Sequence, residues 1–89
     1  MEHYELVKEL EVDVTGLSYP VKGKILKMIT RDKDKIYIGK LSHYCKPSKM
    51  AATIYIPSLT GNDISTVEYL LLTYLKSFTL IDVTRNEHY

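Results

Sequence analysis

An α+β domain is predicted over residues 1–89, with element order β-β-β-β-α-β and a single domain. Its antiparallel sheet of about five strands, curled toward a half-barrel, carries one packed helix. Three observations lead there. Two early stretches alternate apolar and polar residues with period two, these stretches are complementary in charge, and one later stretch repeats apolar residues at helical spacing.

Residues 4–14 open the alternation. Tyr4, Leu6, Leu10, Val12 and Val14 share one parity, with Lys8 as the exception, while Glu5, Glu9, Glu11 and Asp13 share the other with Val7. That is the signature of a half-buried strand. Gly16 to Pro20 supply turn chemistry, and Val21–Thr30 returns antiparallel. A turn centred between Leu17 and Ser18 sets Val14 against Val21, Val12 against Gly23, Leu10 against Ile25 and Leu6 against Ile29. On the opposite face it sets Asp13 against Lys22 and Glu11 against Lys24. One pair conflicts: Lys8 meets Lys27, which a bulge near Gly23 or an exposed edge would relieve.

Arg31 to Lys35 form a charged hairpin tip without Gly, which favours a four- or five-residue loop on a type I turn. Lys35–Cys45 reads as the third strand, Lys46 to Lys49 as its break, and Met50–Ile56 as a fourth strand ended by Pro57. Ser65-Thr66-Val67-Glu68 fits a capping box, with Ile64 and Tyr69 as its hydrophobic staple. Ile64, Val67, Leu71, Tyr74 and Phe78 then make an apolar stripe, widened by Leu70 and Leu75. Thr79–Arg85 alternates again and is expected as the last strand.

Composition bounds the function. A chain of 89 residues buries only about 60–65% of its unfolded surface, so its core is thin and dimerisation would supplement it. Cys45 is the only cysteine, so no internal disulfide forms and a reducing cytoplasm is expected, the host's if the source is viral. Abundant Lys, Ile and Tyr fit a microbial or viral genome rich in AT. Met1 to Glu5 lack the features of a secretory signal, and the run Tyr69–Leu75 is too short for a membrane span.

Charge is sorted along the chain. Residues 21–49 hold nine basic and two acidic residues, whereas residues 1–20 hold one basic and five acidic ones. The hairpin therefore supplies the candidate contact residues for a protein partner with acidic surface or for DNA or RNA: Lys27, Arg31, Lys33, Lys35, Tyr37, Lys40, Tyr44, Lys46 and Lys49. Lysines would follow a phosphate backbone while tyrosines stack on bases. Against this, Lys22 and Lys24 are matched by acidic residues of the first strand, as on any solvated charge-paired sheet.

An apolar excess accompanies the charge. Leu26, Met28, Ile36 and Ile38, with Val7, place apolar groups on the sheet face that one helix leaves open, which is expected of a self-associating surface. Burial at a curled corner is the plainer account of the same residues. His43 and Cys45 share a strand face but lack two further zinc ligands, so neither metal nor cofactor is expected. Two such strand neighbours stand about 7 Å apart at Cα, which also disfavours a nucleophile–base pair. Ser58 to Asn62 precede a helix N-terminus, yet Asp63 at its mouth would repel an anion. No paired carboxylates suited to acid–base chemistry are evident. The expectation is a small, non-enzymatic interaction protein that forms a homodimer and recognises a protein partner through this hairpin. Nucleic-acid binding by residues 27–49 is the alternative.

Overall fold

The computed structural model describes residues 3–29 and 35–89. Strands β1 (His3–Val12), β2 (Val21–Ile29) and β3 (Lys35–Leu41) form an antiparallel ladder, which the two-residue β5 (Thr60–Gly61) extends in the order β1-β2-β3-β5. The helix α1 (Ile64–Lys76) packs on one face of it. A second small sheet pairs β4 (His43–Tyr44) with β6 (Thr84–Arg85). The α+β class and the antiparallel pairing agree with the sequence reading. One four-stranded and one two-stranded sheet replace the expected single sheet of five. Of the expected charged tip, Arg31 to Asp34 lie outside the described residues, and Lys35 opens β3.

The first hairpin keeps its predicted parity but slides by two residues. Val12 faces Val21, Glu11 faces Lys22, Leu10 faces Gly23 and Glu9 faces Lys24. Near its N-terminus β1 carries an irregularity between Leu6 and Lys8, beyond which Leu6 faces Leu26, Glu5 faces Lys27 and Tyr4 faces Met28. The bulge therefore sits at Val7 and not near Gly23. The two-residue slide removes the expected Lys8–Lys27 conflict: Lys8 lies opposite Ile25 on the helix side, and its ammonium reaches the Glu68 carboxylate at 2.7 Å.

Glycines set how closely α1 approaches. A Cβ at Gly23 would stand 2.6 Å from a methyl of Leu71, and one at Gly39 would stand 3.1 Å from both Leu71 and Val67. Leu71 fills the notch these two residues leave. It is fully buried, with Val21, Ile25, Leu41 and Val67 around the same layer. Burial along β2 stops at Ile25, so the ladder runs on past its core and the molecule measures 44 × 25 × 23 Å.

The helix begins one residue before the expected cap. Asp63 is the N-cap, accepting the Thr66 N–H at 2.7 Å and the Thr66 hydroxyl at 3.0 Å, so the Ser65–Glu68 box does not form. Ile64, the expected staple residue, is 36% exposed at the start of the helix. Asp63→Ala is expected to lower stability by about 1 kcal/mol, measurable by urea denaturation.

Two expected strands are absent as such. Residues 50–56 form turns, beginning with Ala51 N–H donating to the Ser48 carbonyl, and only Tyr55 makes a single bridge, to Cys45. Residues 79–83 are bent because the Thr79 hydroxyl takes the Ile81 N–H and Asp82 adopts φ 48°, both incompatible with a ladder. Only Thr84 and Arg85 pair, with the β4 residues rather than the main sheet. The third strand ends at Leu41, where buried Ser42 turns the chain toward β4 while its hydroxyl accepts the Lys22 N–H at 2.7 Å.

Candidate interaction surface

Cross-strand partners share a sheet face, which sorts every ladder residue. Gly23, Ile25 and Gly39 point toward α1, so Leu26, Met28, Ile36, Ile38 and Lys40 point away from it. Two rungs result on this far face. Leu6, Leu26 and Ile38 form one row across three strands, and Tyr4, Met28 and Ile36 form the next. Leu6 is 60% exposed and Tyr4 48%, while the other four are half-buried.

The Val7 bulge creates half of this platform. Uninterrupted alternation would hold Leu6 and Tyr4 on the same side as Leu10, toward the helix. The extra residue turns them outward, where they meet Leu26 and Met28. Four of the five expected self-association residues, Leu26, Met28, Ile36 and Ile38, fall together. Val7 stands at the irregularity without a ladder partner, and Leu6 and Tyr4 take the place expected for it. The missed residues were hidden by parity, which a bulge inverts.

Beyond the platform the far face is charged. Glu9, Lys24 and Lys40 form the next row, followed by Glu11 and Lys22. Lys24 also donates to the Tyr89 carbonyl and lies 4.2 Å from the centroid of the Tyr89 ring.

The expected basic contact residues do not form one surface. Lys27 and Tyr37 face each other on the helix side, with Glu5 beside Lys27, whereas Lys40 is on the far face. Tyr44 belongs to the second sheet, where its hydroxyl accepts from the Asn86 amide at 3.2 Å. Lys46 is held by Asp82 at 2.9 Å, and Lys49 stands exposed in the following turn. Arg31 and Lys33 lie outside the described residues, as does the side chain of Lys35. Sequence alone groups these residues by proximity along the chain, but the ladder and the break at Ser42 distribute them over both faces.

Two clefts accompany the surfaces. One, of ≈ 320 Å³, lies between α1 and the segment around Tyr55, and its wall includes the buried Cys45 thiol and Tyr74. The Cys45 sulfur accepts the Thr79 N–H at 3.3 Å, and burial pushes the Tyr74 phenol up to about 12. A wider cleft of ≈ 780 Å³ opens beside the second sheet between Tyr19, Lys22, His43, Arg85 and Tyr89. No group of three or more His, Cys, Asp or Glu side chains suited to a metal occurs among the described residues. No helix among them is long and apolar enough to cross a membrane. Comparison with protein-family models, curated proteins and solved structures returns no match.

Proposed function

We propose that the chain is a non-enzymatic interaction protein that self-associates through the far face of β1, β2 and β3 and engages a protein partner as a homodimer in a reducing cytoplasm. The observation that carries this reading is the pair of apolar rungs Leu6–Leu26–Ile38 and Tyr4–Met28–Ile36 on the sheet face opposite α1. Contiguous apolar area on this scale, of the order of a few hundred Å², commonly marks a contact surface on a soluble protein. A second copy laid face to face would bury both rungs at the ~10 Å spacing of packed sheets.

The lysines favour this reading over nucleic-acid binding. Lys22, Lys24 and Lys27 each lie opposite a glutamate, and Lys46 pairs with Asp82. A phosphate backbone would meet an alternating field in place of a basic track.

Light scattering over a concentration series tests the proposal. Wild type is expected at dimer mass, and the Met28→Ser/Ile38→Ser variant at monomer mass with its circular dichroism unchanged. Four serines per dimer remove enough apolar burial to weaken association by at least ~100-fold. A variant with undiminished mass would refute the assignment. Fluorescence polarisation with short oligonucleotides should show no steeply salt-dependent binding; if it does, the nucleic-acid reading replaces this one.

A further inference from the structure

The geometry points to an oxyanion-binding site of the phosphate class in the cleft beside the second sheet, formed by His43, Arg85 and Lys22, the last of which lies on the same sheet face as the apolar rungs. Lys22 and Arg85 contribute two cations to the wall of this cleft, and neither has an ion-pair partner within 4.0 Å among the described residues. Glu87 is the one carboxylate residue lining it among the described residues, while Glu11 stands across the ladder from Lys22 outside the cleft.

The buried Ser42 hydroxyl accepts the Lys22 N–H at 2.7 Å and lies 2.8 Å from His43 Nδ1. In the tautomer protonated at Nε2 the Ser42 hydroxyl donates to Nδ1, which leaves the Nε2 proton for an anion. Tyr19 stacks on the ring at 4.8 Å between centroids, fixing its plane. Burial, and then the Arg85 guanidinium, hold the imidazole below its usual pKa. An anion beside it would reverse the second of these effects.

Tyr89 closes one side of the cleft. Its hydroxyl is buried, without a hydrogen-bond partner among the described residues, and burial followed by the Glu9 charge raises its pKa, so it stands beside a carboxylate and takes no part in holding the anion. The frame is firm: Asn86 N–H donates to the Ser42 carbonyl at 2.8 Å and the Asn86 amide to the Leu41 carbonyl at 2.8 Å, fastening β6 to the end of β3. The sequence shows none of this, since Lys22, His43 and Arg85 come from segments with no common spacing.

NMR titration of the full chain with inorganic phosphate at constant ionic strength, repeated with sulfate, tests the site. Saturable one-to-one shifts at His43 and Arg85 are expected, and sulfate, whose charge is constant from pH 5 to 8, should raise the His43 midpoint. Arg85→Gln is expected to weaken binding at least ~5-fold, and Lys49→Gln not at all. Shifts that never saturate, equal affinity in Arg85→Gln, or equal loss in Lys49→Gln would each overturn the assignment and mean diffuse surface charge. Arg85 is exposed, so its replacement leaves the fold intact.

Discussion

Replacing Leu71 with alanine is expected to lower the free energy of unfolding by about 3–4 kcal/mol, as buried leucine truncations do. A domain of this length holds only roughly 5–13 kcal/mol in all, so the loss is a large share. Leu71 has no exposed surface, and its methyl groups fill the space above two side-chain-free positions on neighbouring strands, Gly23 and Gly39. Relaxation cannot close that hole, because the backbone of β2 and β3 is fixed by its ladder. Gly23→Ala supplies the complementary test. In the wild type its Cβ meets Leu71 at 2.6 Å and overpacks the layer. In the Leu71→Ala background the same methyl enters the cavity. The two substitutions together should cost less than their sum in urea titrations, and strict additivity would show that Leu71 does not occupy this notch.

Tyr74→Phe is expected to cost about 2 kcal/mol, since it strands two backbone groups that one hydroxyl now serves. The hydroxyl accepts the Cys45 N–H at 3.1 Å and donates to the Tyr55 carbonyl at 2.6 Å. Together with the stacking of the Tyr55 and Tyr74 rings at 5.9 Å between centroids, these bonds fasten the irregular segment to the helix. Hydrogen exchange at Tyr55 should accelerate in the variant. Alkali gives a second readout. With the phenol pushed up to about 12, mainly by burial, the folded chain retains a proton that an unfolded tyrosine loses near its ordinary value of 10.0. That proton favours the folded state fully below pH 10, and the benefit declines as pH rises to 12. The stability gap between wild type and Tyr74→Phe should narrow over this interval; a gap independent of pH would contradict the assignment.

The hairpin and the helix were legible because period and charge are local. Val12, Leu10 and Glu11 declare their faces in the sequence, and Val67, Leu71 and Tyr74 declare theirs. Register was not legible. Sliding by two residues keeps every parity and still sets glutamates against lysines, so pattern alone cannot separate the alternatives. The observed register adds the third match, Glu5 with Lys27, but only once Val7 is left unpaired. Met50–Ile56 alternates as a strand should, yet makes one bridge, because pairing depends on an available edge and not on residue pattern. Asp63 displaced the Ser65 cap because either residue satisfies the same chemistry two positions apart. The Ser42–His43–Arg85 grouping depends on a chain reversal over more than forty residues, for which local patterning carries no signal.

The unpaired Val7 has a consequence for how one strand divides its labour. From Lys8 to Val12 the inward residues of β1 belong to the interior, and from Tyr4 to Leu6 the same parity belongs to the outside. One residue left out of the ladder, with no change in the kinds of residue used, assigns the two halves to different tasks. Were Val7 paired with Leu26 in an uninterrupted ladder, Glu5 would stand beside Met28, and the outer face would carry a carboxylate where it now carries an aromatic ring. Where a strand is interrupted, as much as which residues it contains, thus decides what such a surface presents.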